Sequence, residues 1–245
     1  MSEIKISTQG ILITPDEKAQ GRRPAAIICP GGAYELVSMP NEGTPIQRFM
    51  KDHRYAAFIL RYSVDPATYP LPQMDLLQSC RYIREHADEL GVDPGRIIFG
   101  GFSAGGHLAA SAAGLAEKLL PGSKPQGVFL GYPVISLKDS ITNEPTRENL
   151  LKGTDPSERN RLINELSVEN IVDDDYPPTY AFHCSDDESV SSENISILAD
   201  ALDIHDIRHL CEIYPTGGHA IGLGKGTSAE PWSERMIDFF SMIFQ

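Results

Sequence analysis

The six residues Gly101-Phe102-Ser103-Ala104-Gly105-Gly106 constrain this chain more than any others. They follow the short apolar run Arg96 to Gly100 and lead straight into the alanine-rich stretch Ala104 to Leu120, so they join a buried strand to a helix with no loop between. So sharp a reversal forces strained backbone angles on the central serine, and small neighbours at Gly101 and Gly105 let strand and helix approach closely. The residues fit G-x-S-x-G in the strand–turn–helix setting of a nucleophile elbow, which exposes a serine hydroxyl at the top of a sheet. The competing reading is a glycine-rich turn with a helix-capping serine. The flanking strand and helix favour the elbow.

The rest of the chain alternates short β-branched runs with longer amphipathic stretches, the order that builds a mostly parallel sheet with helices on both faces. Ile4 to Ser7 and Gly10 to Thr14 read as opening strands able to pair as a hairpin, Ala25 to Cys29 as a buried strand, and Tyr55 to Tyr62 as the next. Helical spacing covers Thr44 to His53 and Gln73 to Leu90, where Leu76, Leu77, Cys80, Ile83 and Ala87 share a face and Gly91 ends the run. After a strand over Gly127 to Val134 the rhythm breaks. Ile135 to Tyr176 carries few strand signals and only weak helical patterns, such as Glu158 to Leu166. Long structureless connections are uncommon inside a compact domain, so this stretch is expected to be an inserted cap. Strands at Thr179 to His183 and Arg208 to Tyr214 and helices at Glu193 to Leu202 and Pro231 to Phe244 complete the pattern. The expectation is one α/β domain over residues 1–245 with a cap at about 135–176.

A serine hydroxyl is a poor nucleophile at neutral pH and needs a base oriented by an acid. The acid is expected after a late strand and the base in a loop after the last one. Cys184-Ser185-Asp186-Asp187-Glu188-Ser189-Val190 puts carboxylates in the first place, and Tyr214-Pro215-Thr216-Gly217-Gly218-His219 puts a histidine in the second. Adjacent residues leaving a strand point in different directions, so only one of Asp186 and Asp187 meets the imidazole, and the residues alone leave that choice open. The other histidines lack this placement: His53, His86, His205 and His209 fall in or beside helical stretches, and His107 lies one turn beyond the elbow. His183 closes a strand, where its expected part is to order the acid loop. Acyl transfer also needs donors aimed at the developing oxyanion. The backbone N–H of Ala104 is one candidate, and Gly32, with Ala33 next, in the loop Pro30-Gly31-Gly32-Ala33-Tyr34 is the other. Gly31 and Ala33 are expected to touch substrate beside it, with Tyr34 as a pocket wall.

These features resemble the α/β-hydrolase superfamily, and within it the small acetyl-esterase/lipase-like group often labelled xylan esterase-like or sugar hydrolase-like. The landmarks are Cys29-Pro30-Gly31-Gly32-Ala33-Tyr34, Leu60-Arg61-Tyr62-Ser63-Val64, Asp93-Pro94-Gly95-Arg96, the elbow continuing through His107-Leu108-Ala109, Tyr132-Pro133-Val134, and the acid loop ending at Glu193-Asn194. They run in the expected order over nearly the whole chain. The resemblance implies an α/β-hydrolase fold and hydrolysis of short-chain, acetyl-type esters, with acetylated carbohydrates as one substrate class, through an acyl-enzyme and without metal or organic cofactor. It implies Ser103 as nucleophile, His219 as base and, through the D-x-x-V spacing to Val190, Asp187 as acid. Three departures stand out: Gly-Gly-Ala where three glycines are usual in the oxyanion loop, no proline after Val190, and Ala220 after His219 where glycine is common. None removes a catalytic group.

Composition narrows the remaining readings. With 21 basic and 34 acidic residues the formal net charge is −13, which leaves no basic face for nucleic acid. No apolar run approaches the roughly 18 residues that cross a bilayer, and Met1-Ser2-Glu3-Ile4-Lys5 lacks the pattern of a secretory signal. The four cysteines, Cys29, Cys80, Cys184 and Cys211, form no C-x-x-C pair and no zinc-ligand spacing, so free thiols, no metal and a cytoplasmic setting are expected. A small-molecule ester is the expected partner, and apolar residues at Phe239, Phe240, Ile243 and Phe244 leave homo-oligomerisation open. Two other functions compete. One is an acyl-peptide hydrolase or aminopeptidase-like amidase, whose usual large extra domain has no counterpart here. The other is a non-catalytic ligand binder on the same fold, against which the presence of both Ser103 and His219 counts.

Overall fold

The computed structural model describes residues 2–15 and 21–245. Eight strands, β1 (Glu3–Lys5), β2 (Ile11–Ile13), β3 (Arg23–Cys29), β4 (Ala56–Arg61), β5 (Val92–Phe102), β6 (Gly127–Gly131), β7 (Thr179–Cys184) and β8 (His209–Tyr214), make one sheet. Their order is β1-β2-β4-β3-β5-β6-β7-β8. The opening hairpin β1–β2 joins β4 antiparallel, and every pairing from β4 through β3 to β8 is parallel. This is the mostly parallel sheet with helices on both faces expected from the alternating runs.

Period-two alternation along the central strands divides the core into two layers. Ala25, Ile27 and Cys29 of β3, Phe58 and Leu60 of β4, Ile97 and Phe99 of β5 and Val128 and Leu130 of β6 face one layer. Helices α2 (Leu71–Glu85), α4 (Ala104–Leu119) and α7 (Glu193–Ile204) cover it. Ala26 and Ile28, Ile98 and Phe102, Phe129, and Tyr180 and Phe182 face the other, under α1 (Thr44–Asp52) and α8 (Trp232–Ile243). There the single tryptophan, Trp232, stacks on Phe182 with ring centroids 4.5 Å apart. No helix among the described residues is long and apolar enough to cross a membrane.

Three boundaries differ from the expected ones, each for a local reason. The helix read as Gln73 to Leu90 starts at Leu71 and breaks at His86 into α2 and the single turn α3 (Ala87–Leu90). The His86 ring stacks on Tyr82 and its Nδ1–H competes for the Tyr82 carbonyl that the helix ladder uses. Gly91 caps this turn with φ 62°, as its position suggested. β5 begins at Val92, because Val92 pairs with Arg23 across an irregularity in the ladder before the register settles at Ala25–Ile97. β6 stops at Gly131, because Tyr132 takes φ 37° and Pro133 has no N–H to continue. Between Ile135 and Tyr176 there is no strand. The segment holds α5 (Glu144–Leu150), α6 (Pro156–Leu166) and a turn of 3-10 helix at Val168–Asn170.

The site is positioned by how closely β5 turns back into α4. A methyl group on Gly101 would lie 2.0 Å from the Gly105 carbonyl oxygen, and one on Gly105 would lie 2.1 Å from the Cys29 carbonyl oxygen. Both neighbours are backbone, which has no rotamer with which to yield. Gly105→Ala is therefore expected to lower unfolding free energy by about 1–3 kcal/mol, read by urea denaturation, as overpacked cores do. An unchanged denaturation midpoint would mean that α4 can slide off β3 at no cost.

Candidate active site

Ser103 sits between β5 and α4 with φ 53° and ψ −122°, a conformation that a side-chain-bearing residue rarely adopts. The surroundings over-determine it. Its N–H donates to the Gly131 carbonyl at 3.0 Å, and its own carbonyl accepts from Gly106 at 3.0 Å and from His107 and Val134 at 3.2 Å. The hydroxyl is thereby fixed at the sheet's carboxyl edge, only 9% of the residue exposed, and lies 2.9 Å from His219 Nε2. His219 Nδ1 donates in turn to Asp187 Oδ2 at 2.6 Å. With the ring proton on Nδ1, Nε2 is free to accept from the serine.

Asp187 and Asp186 leave β7 in opposite directions and hold different things. The Asp187 side chain is fully buried and accepts four donors: His219, the Ser189 and Val190 N–H groups at 2.8 and 3.0 Å, and His183 Nε2 at 3.1 Å. Burial alone would raise its pKa, but the donors outweigh it and keep the carboxyl well below the usual carboxylate range. His183, also fully buried, gives the same Nε2–H to the Val190 carbonyl at 2.9 Å, so it ties the two ends of the acid loop together. Asp186 instead accepts the N–H groups of Gly217 and Gly218 at 2.9 and 2.8 Å, which pulls its own pKa down and tethers the loop that carries His219.

That loop has two further supports. Tyr132 packs edge-on to the His219 ring at 4.9 Å, and its hydroxyl accepts the Gly222 N–H at 3.1 Å. Trp232 Nε1 donates to the Gly222 carbonyl at 3.1 Å.

In the early loop, Gly32, Ala33 and Tyr34 all have positive φ, at 134°, 52° and 58°. The N–H groups of Gly32 and Ala33 have no acceptor among the described residues, and Ala104 opens α4, where the helix leaves its N–H unused. These groups border Ser103 and are able to receive an oxyanion. Gly31 does not contribute its N–H there, because that group donates to Glu42 Oε2 at 2.7 Å. Tyr34 is not a pocket wall either: it is fully buried beneath the loop, its hydroxyl 2.9 Å from His107 Nδ1 and its ring edge-on to Tyr62. Consecutive positive φ values turn its side chain inward, away from the cleft. Glu42, Glu35, Leu36 and Ser38 had no pattern to announce them.

The cleft encloses about 380 Å³, within the usual range for a small-molecule site. Leu36, Ala33 and Pro145 give it apolar surface, Ser38, Asn143 and Ser189 give polar surface, and Glu35 and Glu42 are the carboxylate side chains that line it. Helix α5 braces two of its walls. Asn143, the residue that caps α5, donates to the Ser189 carbonyl of the acid loop at 3.0 Å, and Asn149 donates to the Ala33 carbonyl of the early loop at 2.9 Å. The run Asn143-Glu144-Pro145 is a helix-start signature that marks α5 in the sequence. No group of three or more His, Cys, Asp or Glu side chains that could hold a metal occurs among the described residues. Cys29, Cys80 and Cys184 are buried free thiols, and Cys211 is a half-buried one.

Comparison with known proteins places this arrangement. Residues 12–202 match the family BD-FAE. An acetylxylan esterase of Xylanibacter ruminicola is 28% identical over 211 residues, covering 85% of this chain and 42% of that protein. An endo-1,4-beta-xylanase B of Butyrivibrio fibrisolvens is 27% identical over 224 residues, covering 86% of this chain and 34% of its own length. The chain thus spans less than half of these two curated relatives. Among solved structures, an acetyl ester-xyloside bifunctional hydrolase from Caldicellulosiruptor lactoaceticus superposes with TM-score 0.87 at 32% identity, over 96% of this chain and 88% of that one.

Beside the site, His107 is fully buried, its Nε2–H donating to the Leu166 carbonyl at 2.8 Å and its Nδ1 accepting from Tyr34. Burial pushes it down to about 4, against the opposing pull of the Leu166 carbonyl and Glu169. Between that value and about 6.5 the unfolded chain takes up a proton that the folded one refuses, so stability falls as pH drops through this window. The loss amounts to roughly 3 kcal/mol by pH 4. Thermal melts from pH 7 to 4 are expected to show it, and His107→Gln is expected to flatten that part of the curve. Asp187 acts lower still: with its folded pKa depressed, its contribution is complete above about pH 4 and is lost only as pH falls further.

Proposed function

The chain belongs to the BD-FAE family and has the α/β-hydrolase fold, and from that premise we propose that it is a serine carboxylesterase acting on short-chain, acetyl-type esters of neutral alcohols. The observation that carries the reading is the unbroken line of hydrogen bonds from Ser103 through His219 to Asp187, in one small cleft lined by Gly32 and Ala33, whose N–H groups have no acceptor among the described residues. In this mechanism the Ser103 oxygen attacks the ester carbonyl carbon while its proton passes to His219 Nε2. Asp187 holds the imidazolium through Nδ1–H, and the Gly32 and Ala104 N–H groups receive the charge that builds on the carbonyl oxygen. The tetrahedral adduct expels the alcohol, which takes the proton from His219 and leaves an acyl-serine. A water molecule, deprotonated by His219, then releases the acid and returns the proton to Ser103.

Substrate size and charge follow from the walls. Ala33 and Leu36 crowd the acyl side, and a cleft whose fixed charges are carboxylates disfavours anionic esters. The 135–176 segment acts as the cap, since α5 supplies Asn143 and Pro145 to the wall over Ser103. The acetylxylan esterase among the relatives makes acetylated carbohydrate the first natural ester to test.

The test is hydrolysis of p-nitrophenyl acetate, butyrate and octanoate, with an aminoacyl p-nitroanilide as the amide control. Acetate is expected to be turned over fastest, and Ser103→Ala to lose at least about 10³-fold in kcat. Asp187→Asn is expected to lose about 10²–10⁴-fold, and Asp186→Asn less than about tenfold, because one holds the imidazole and the other only its loop. A folded wild-type protein that turns over none of the esters would sink the reading, and faster turnover of the anilide would replace it with an amidase.

A further inference from the structure

Glu42 belongs to no part of the reaction described above, yet it is a carboxylate with 2% exposure that reaches the cleft beside Ser103 and His219. It lies in a π-helical turn, Met39–Gly43, just before α1. π-Turns inside or beside α-helices are rare and gather at functional sites. Each of its oxygens has one donor. Oε2 accepts the Gly31 N–H at 2.7 Å, and Oε1 accepts the Tyr132 hydroxyl at 2.8 Å. The tyrosine oxygen meanwhile accepts the Gly222 N–H, so its single proton is committed to Glu42 and the direction of the chain is fixed.

The same turn grips both flanking loops a second time. The Ser38 N–H donates to the Gly31 carbonyl at 2.9 Å, so the peptide groups on both sides of Gly31 are held. On the other loop, a methyl group on Gly222 would lie 2.5 Å from the Asn41 carbonyl oxygen, so the base loop rests directly on the turn. Gly31 itself is wedged between the Glu42 carboxylate and Ser103: a carbon added there would lie 2.9 Å from Glu42 Oε2 and 2.9 Å from Ser103 Cβ, closer than side chains pack. Burial raises the Glu42 pKa, opposed by its two donors and by His219. A carboxylate held in so dry a place with two donors is a poor choice for stability alone.

We propose that Glu42 is a positioning residue: by accepting from Gly31 and Tyr132 at once it fixes the separation between the oxyanion loop and the base loop across Ser103. With the Gly31 N–H taken, the amides of this loop left without an acceptor among the described residues begin at Gly32. With Tyr132 anchored, the His219 ring has a rigid wall to lie against. The effect falls on the transition state, where oxyanion and imidazolium exist together, and not on ground-state binding.

This inference rests on the esterase reading, and the experiment separates the two. Steady-state kinetics on p-nitrophenyl acetate, inhibition by phenylboronic acid and melting temperature are measured for wild type, Ser103→Ala, Glu42→Gln, Tyr132→Phe and the Glu42→Gln/Tyr132→Phe pair. Glutamine keeps the size and one acceptor but cannot accept from both partners. Glu42→Gln is expected to lower kcat about 10- to 100-fold, as small misplacements of catalytic groups do, with KM within about threefold. Affinity for the boronate, which forms a tetrahedral adduct on serine, is expected to fall in step with kcat. Tyr132→Phe is expected to show the same split more weakly, and the pair to lose no more than Glu42→Gln alone, since both break one link. If wild type is inactive, the esterase reading fails and takes this role with it. If wild type is active and Glu42→Gln keeps its kcat, only the role of Glu42 falls. Should Glu42→Gln not fold, Tyr132→Phe decides: a lowered kcat at unchanged KM supports the role, and a wild-type kcat overturns it.

Discussion

Everything at the cleft depends on how near α4 comes to β3 and β5. The approach leaves no room for a single carbon at Gly101 or Gly105, and it is what makes a turn without a loop achievable. That turn puts Ser103 at φ 53°, a strained conformation sustained by one ladder bond to β6 and three donors on its carbonyl. The strain has a use. A serine so held cannot swing into the sheet, and the same turn aims the unused amides of α4's first residues at the point where negative charge would collect. The neighbouring strands then only have to deliver their loops to that point, as parallel strands ending on one edge do.

Two buried carboxylates near the serine show how donor number decides the sign of a pKa shift. Burial pushes both upward. Asp187 has four donors, two of them imidazoles, and ends far below the usual carboxylate range. Glu42 has two, a tyrosine hydroxyl and one amide, and burial prevails. The contrast suits their places: the carboxylate that faces the imidazole stays charged at any working pH, while the other is a structural joint. Sharing one Asp187 oxygen between His219 and His183 adds rigidity, since His183 is locked by Val190 and cannot turn with the base.

The sheet and the meeting of Ser103, His219 and Asp187 were legible because each depends on a local signal. Alternation gave the strands, and Ser103, Asp187 and His219 each leave a strand end through small or polar residues that mark a turn. Even the choice between Asp186 and Asp187 needed the resemblance to a family, because two adjacent carboxylates look alike until the chain bends. Glu42 was hidden for the opposite reason. It sits in a π-turn that has no repeat to detect, and its partner Tyr132, with Gly222 bonded behind it, is far away in the chain. Tyr34 misled because proximity to Gly32 in sequence suggested proximity to substrate, whereas successive positive φ values bury it. The break at His86 required knowing that an imidazole would take a helix carbonyl, which hydrophobic spacing does not encode.

Helix α5 holds the acid loop through Asn143 and the early loop through Asn149, so two opposite walls of the cleft hang from residues six apart on one helix. At about 1.5 Å per residue, that is a span of about 9 Å. The width of the mouth is therefore counted in residues of α5, as on a ruler. Lengthening that helix by one turn would part its two anchors by about 5.4 Å and pull directly on the acid loop at Ser189 and the early loop at Ala33. On the proposed reading, a change of length in this one short helix would set the width between two walls of the cleft and so the size of ester that fits it.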